Sequence, residues 1–185
     1  MPKKMKGKEW YTLIAPKVFK EKIIGETPAS DVKTLIGRTI EVHLINLIDD
    51  LSKYYVKFYL KVIDLKEKNA YTEFAGLECL RDYISRMIRY GIKRVDTVQD
   101  LITEDKKKIR VKTIIITSKK IKKNVVIALK KFVEDKLKKE VESNKIDEFI
   151  EKIINDTIKR SVIEDGGKIY PIRSFEIRKV ETLSK

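Results

Sequence analysis

Tyr55-Val56-Lys57-Phe58-Tyr59-Leu60-Lys61-Val62-Ile63 is the stretch that decides the fold class. Val56, Phe58, Leu60 and Val62 alternate with Lys57, Tyr59, Lys61 and Ile63, the period-2 pattern of a strand with one face in a core. Lys66-Glu67-Lys68-Asn69 reads as a turn and Ala70 to Ala75 as the returning strand, so 55–75 is a predicted hairpin. Upstream, Thr39 to Leu47 reads as another strand. Downstream, Val95 to Thr103, a polar turn at Glu104-Asp105-Lys106, and Ile109 to Thr117 form a second hairpin. Ile172 to Val180 is a last strand, with Phe175 and Ile177 facing in.

Three stretches carry helical spacing instead. Gly76 opens a helix over 77–90 with the stripe Leu80, Ile84, Met87 and Ile88, and Gly91 is its stop. Asn124 to Glu142 is a long helix on Val126, Leu129, Phe132, Val133, Leu137 and Val141. Asn144 caps a further helix, with Asp147 and Glu148 in its first turn and a stripe from Ile146 to Ile158 that Gly166-Gly167 ends. The predicted class is α+β: an antiparallel, barrel-like sheet with helices mainly in the C-terminal half. Residues 34–185 read as one globular domain. Residues 1–33 read as an extended basic N-terminal arm, punctuated by Gly25, Pro28 and Ser30.

The 185 residues carry 42 Lys and Arg against 28 Asp and Glu, a formal charge of +14, with 42% hydrophobic residues. That apolar content supports a packed core. The charge repels itself in a compact chain and is relieved by a polyanion. A membrane surface fits less well than nucleic acid, because no apolar run spans a bilayer and no lipidation signal or secretory leader is read. Cys79 is the only cysteine, so no disulfide forms within the chain, which fits a reducing cytoplasm.

The basic residues concentrate in two places. In the first twenty residues, Lys3, Lys4, Lys6, Lys8, Lys17 and Lys20 face one acid, Glu9, around the aromatics Trp10, Tyr11 and Phe19. In the interior, Lys106, Lys107, Lys108, Arg110, Lys112, Lys119, Lys120, Lys122 and Lys123 run from 106 to 123 without an acid. Two patches of one sign predict a phosphate-contacting footprint, and each neutralised phosphate steepens the salt dependence of binding by about 0.7–0.9. Arg81, Arg86, Arg89, Lys93 and Arg94 are candidates to extend it. Trp10 and Tyr11 either stack on an unpaired base or pin the arm to the core. Tyr55, Lys57, Tyr59 and Lys61 share a strand face that could stack on bases. A covering layer accounts for that face better, since the strand has no Lys/Arg-Gly-aromatic signature.

Nothing in the pattern points to catalysis or to a cofactor. His43 is the single histidine and Cys79 has no histidine beside it in sequence. A hydrogen-bonded strand side chain and a packed thiol are the economical readings. Asp49-Asp50, Glu104-Asp105 and Glu164-Asp165 are carboxylate pairs of a kind that holds Mg²⁺ in nucleases, yet all three fall at predicted turns. Phosphate-cradling glycine loops and zinc ligand sets are missing from the sequence. No metal, small-molecule substrate or membrane is expected.

Three stretches resemble the archaeal and eukaryotic small-subunit ribosomal proteins of the S-three-a-e (S-one-e) family. Lys8-Glu9-Trp10-Tyr11, Ala15-Pro16, Phe19 and Ile24-Gly25-Glu26-Thr27 are similar to the family's opening. Leu35-Ile36-Gly37-Arg38-Thr39-Ile40-Glu41-Val42-His43-Leu44-Ile45-Asn46-Leu47 resembles its signature. Ile169-Tyr170-Pro171 with Arg178-Lys179-Val180 resembles its C-terminal strand. Thr39, His43 and Asn46 depart from the signature, and Asp105-Lys106 stands where relatives often have Asp-Gly. The shorter C-terminus suggests an archaeal form.

The resemblance implies a structural rRNA-binding protein in the cytoplasmic ribosome, on the small-subunit platform near the mRNA exit. Neighbouring ribosomal proteins are its implied partners, with mRNA near the exit. It also implies RNA contacts around Lys8, Trp10, Tyr11 and Arg38. It makes Glu9 to Phe19 a docked strap and leaves Met1 to Gly7 as the candidate free tail. A free-standing basic nucleic-acid binder, such as a chromatin or translation factor, is the alternative, and a metal-dependent nuclease the remote one.

Overall fold

In a computed structural model the described residues are 7–48 and 50–183. Lys3, Lys4, Lys6 and Asp49, singled out above, lie outside them. Contacts divide the chain into two compact units, Met1–Leu77 and Glu78–Lys185.

The first unit is built on strands β1 (Glu9–Ile14), β2 (Ile23–Ala29), β3 (Thr39–His43), β4 (Val56–Lys66) and β5 (Asn69–Cys79), whose last two residues belong to the second unit. β1 pairs antiparallel with β2 and parallel with the start of β5, while β4 lies between β3 and β5. The sheet of this unit stays open, with edges at β2 and β3. The strap expected over 9–19 is therefore a ladder strand, and the basic stretch through residue 29 folds as a hairpin with one bulge at Leu13/Ile14. Alternation explains the packing. Tyr11 and Leu13 point inward and join Ala29, Leu35, Val62 and Ala70 in one buried cluster. Phe58, fully buried near the start of β4, meets Phe19 and Phe74 edge-on at 5.4 and 5.7 Å between ring centres. Between the strands lie two short helices, α1 (Val32–Leu35) and α2 (Leu44–Ile48). The strand expected through Leu47 thus ends at His43. Leu44 and Leu47, three apart, are both buried from a helical turn.

The second unit packs helices on an antiparallel sheet of β6 (Arg94–Ile102), β7 (Lys108–Thr117) and β8 (Ile172–Thr182). β7 runs between the other two and its last five residues are all buried. α3 (Arg81–Met87), α4 (Lys123–Glu142), α5 (Ile146–Ile154) and α6 (Thr157–Gly167) complete it.

Two helix expectations need correction. The helix expected from Gly76 starts at Arg81, because β5 continues to Cys79. Along β5 the buried positions change from even to odd numbers at Gly76–Leu77, a slip that hides the strand from a period-2 reading. The single helix expected past Asn144 is two. Asn155 ends α5, and Asp156 takes a left-handed φ of 56° before α6, a conformation that short polar side chains tolerate. Asn144 is not the cap either. Lys145 holds that position and the first backbone N–H of α5, on Ile146, donates to Asp105 Oδ2 at 3.2 Å.

Candidate nucleic-acid interface

In the first unit the basic residues sit on the β1–β2 hairpin. Trp10 and Tyr11 take opposite faces of β1. Tyr11 is 7% exposed inside the cluster, so it takes the pinning alternative, while Trp10 is 61% exposed and stands opposite Pro28. Lys8 is exposed on the same face. Lys17 and Lys20 flank Phe19 in a 3-10 turn and are exposed. Lys20 and Glu21 both adopt left-handed φ values as the chain reverses into β2. Arg38 is turned to structural use: its guanidinium donates to Thr27 Oγ1 at 2.7 Å and to the Pro28 carbonyl at 3.2 Å, tying the end of β2 to the signature segment. Gly37 before it holds φ of +87°, open only to glycine at low cost.

In the second unit the run from 106 to 123 does not form one patch. It follows β7 from tip to base, and ten residues at about 3.3 Å each separate its ends by roughly 30 Å. At the β6–β7 tip, Lys106 and Lys108 are exposed and Lys107 is half-buried. This tip is docked: the Glu104 N–H donates to the Asn144 carbonyl, and Asp105 caps α5. Along the strand, the run lacks acids only in sequence. Arg110 is held by Asp100 of β6 through bonds of 2.6 and 2.7 Å, and Lys112 pairs with Glu181 of β8 at 3.1 Å. The Arg110 hydrogen bonds hold the Asp100 carboxyl below its usual range and raise the Arg110 guanidinium. Glu181, which also pairs with Lys179, is likewise lowered, chiefly by its Lys179 hydrogen bond.

At the base of β7 the picture reverses. Lys119, Lys120, Lys122 and Lys123 are all exposed. α4 begins among them, with Lys122 at the N-cap, no side-chain cap bond and no acid in the first turn. Cations at the positive end of a helix oppose its dipole, and an anion there relieves both. The segment linking α3 to β6 joins this end. Thr117, fully buried, accepts the Lys93 N–H at 3.3 Å, donates its own N–H to the Lys93 carbonyl at 3.0 Å, and brings its hydroxyl 2.7 Å from the Lys119 carbonyl. Arg89 and Lys93 are exposed in that segment and Arg86 is exposed on α3, while Arg94 is paired with Asp96.

Tyr90 is the residue that the sequence reading missed. The helix expected over 77–90 includes it. α3 ends at Met87, and Tyr90 stands in a turn with Gly91, 99% exposed, with the Lys120 ammonium 5.4 Å from its ring centre. The signal was Arg89-Tyr90-Gly91 itself, an aromatic beside a cation and a turn-forming glycine.

Most of the remaining candidates are held by neighbouring groups. Asp50 caps its own short turn by accepting from the Ser52 N–H, Asp165 binds Lys136 and Lys168, and His43 is exposed opposite Lys57 at the end of β3. Two lysines hold the Asp165 carboxyl down to about 2. Cys79 is buried. Tyr55 is buried, and Lys57 pairs across to Glu41, the one acid of β3. Among the described residues no group of three or more His, Cys, Asp or Glu is placed to hold a metal ion. No described helix is long and apolar enough to cross a membrane.

Comparison with known proteins places this geometry. The model of the Ribosomal S3Ae family matches residues 2–185. The chain is 36% identical over 186 residues to an archaeal protein named small ribosomal subunit protein eS1 in Methanopyrus kandleri, covering 98% of this chain and 88% of that one. It is 36% identical over 180 residues to the protein of the same name in Saccharolobus islandicus, covering 97% and 86%.

Proposed function

The chain belongs to the Ribosomal S3Ae family, and from that premise we propose that it is anchored in the small ribosomal subunit by rRNA docked against the base of β7 and the β1–β2 hairpin. The family role is structural, that of a constituent of the small subunit in the cytoplasmic ribosome, and not an enzyme. What carries the docking reading is the state of charge at the base of β7. Lys119, Lys120, Lys122 and Lys123 are exposed around an acid-free helix start, beside Arg89 and Lys93. Phosphate is the chemistry that suits this end, and such contacts fix position without reading sequence.

On the hairpin, Lys8, Lys17 and Lys20 supply phosphate contacts and Trp10 an exposed ring, while Tyr11 and Arg38 hold the hairpin's shape. Lys3, Lys4 and Lys6, outside the described residues, are proposed as phosphate contacts from their sequence alone. Lys106, Lys107 and Lys108 form a minor contact at the tip, and Arg110 and Lys112 contribute less because Asp100 and Glu181 answer them. The position on the platform, with rRNA, neighbouring ribosomal proteins and mRNA near its exit as partners, follows from the family resemblance. Crosslinking of purified small subunits tests the reading. Peptides containing Lys17–Lys20 and Lys119–Lys123 are expected to carry rRNA adducts. Adducts confined to other peptides contradict it. A chain that leaves the subunit in a high-salt gradient is instead a free-standing nucleic-acid binder.

A further inference from the structure

Tyr90 has a place in this site that phosphate chemistry alone does not use. Single exposed apolar side chains are ordinary on protein surfaces. Tyr90 differs in degree and in company. At 99% exposure its ring forfeits the burial that an aromatic normally gains. It is also held in place rather than trailing: Gly91, with φ of +85°, turns the chain directly after it. Thr117 ties Lys93 to the end of β7, two residues beyond that turn. Arg89 precedes it, Lys93 follows, and Lys120 stands over the ring. From Ser85 to Val95 the sequence contains no acid. A flat apolar ring framed by cations matches a partner with flat π-faces strung on phosphates, and sequence-tolerant stacking on aromatic side chains is how single-stranded nucleic acid is held.

We infer that Tyr90 is a base-stacking platform for an unpaired nucleotide of RNA, with Arg89, Lys93 and Lys120 taking the flanking phosphates. This rests on the reading of the β7 base as an RNA dock and adds that the bound RNA is locally single-stranded. Lys120 holds one side of the ring and leaves the other to the base. A protein partner suits the surface less well, since an apolar protein contact at this ring would bury the surrounding cations without acids to answer them.

The test separates base from phosphate. The full chain and its Tyr90→Ala and Tyr90→Phe variants are titrated with a single-stranded oligouridylate of about 12 nucleotides, and with an abasic strand of equal length and charge. Tyr90→Ala is expected to weaken binding of the oligouridylate about tenfold and leave the abasic strand unchanged. Tyr90→Phe is expected to retain the parent affinity for both. Equal binding of the oligouridylate by parent and Tyr90→Ala overturns the stacking role while sparing the phosphate dock. Equal weakening on both strands points to a structural role for Tyr90 and also overturns it. If the parent binds neither strand, the RNA dock itself fails and the inference goes with it.

Discussion

The tip and the base of β7 carry nearly the same sequence, Lys-Lys-Lys at 106–108 and Lys-Lys-Ile-Lys-Lys at 119–123, yet the fold gives them different work. The tip is committed inward. Asp105 caps α5 and the Glu104 N–H reaches the Asn144 carbonyl. Lys106 holds a left-handed φ of 59° to close the turn. The base is committed outward. Its lysines surround a helix start with no acid, in conflict with the helix dipole. Local conflict of this kind marks places where a partner completes the structure. A run of lysines therefore says little until its neighbours across the sheet are known.

The widest gap between the two ends is expected in affinity. Replacing Lys119, Lys120, Lys122 and Lys123 with Gln removes four candidate phosphate contacts. At 0.1 M salt the loss in affinity for small-subunit rRNA is on the order of a thousandfold, measured by filter binding. Equal loss on replacing Lys106 and Lys108 would erase the distinction. Next comes the geometry of the base. Thr117→Val removes the hydroxyl that ties Lys93 to Lys119, and a buried group left without its partner costs about 1–3 kcal/mol, read as a lower urea midpoint.

A smaller effect of opposite sign is expected at the tip. A non-glycine residue pays roughly 1–2 kcal/mol in the left-handed region, and glycine returns part of that through the unfolded chain. Lys106→Gly is therefore expected to stabilise by about 0.5–1 kcal/mol, while rRNA affinity falls by less than about tenfold, as loss of one minor phosphate contact requires. A loss approaching that of the 119–123 variant would show that the tip is a main dock and not a minor contact.

The smallest effect concerns the strand between the ends. Asp100 has its pKa lowered by Arg110 in the folded chain, so its share of stability is present above the ordinary carboxylate range and lost as pH falls through the lowered value. The urea midpoint of the parent is expected to exceed that of Asp100→Asn by a small constant margin above about pH 5, and the margin should close on further acidification. A margin that persists in acid would mean that Asp100 acts through something other than its charge.

Much of the fold was legible because its signals are local. The alternation in Val56–Val62, the β-branched run that ends β7 and the stripe of α4 each lie within one element, and the antiparallel sheet follows from two hairpins. What stayed hidden depends on chain segments far apart in sequence. The phase slip at Gly76–Leu77 moved the start of α3, and with it Tyr90, which only then emerges as an exposed ring. The acids that answer Arg110 and Lys112 come from β6 and β8, 10 and 69 residues away. At Asn155-Asp156 two local signals compete: the pair suits a helix break, but the isoleucine stripe runs straight across it.

Salt dependence decides between the two ends of β7. Binding of small-subunit rRNA is measured across a range of salt for the parent, for the four-lysine variant at 119–123, and for Lys106→Gln with Lys108→Gln. If the base is the dock, the log–log slope falls by about 3 in the first variant and by well under 1 in the second. Equal slopes in the parent and the 119–123 variant, or a larger fall in the tip variant, would contradict it.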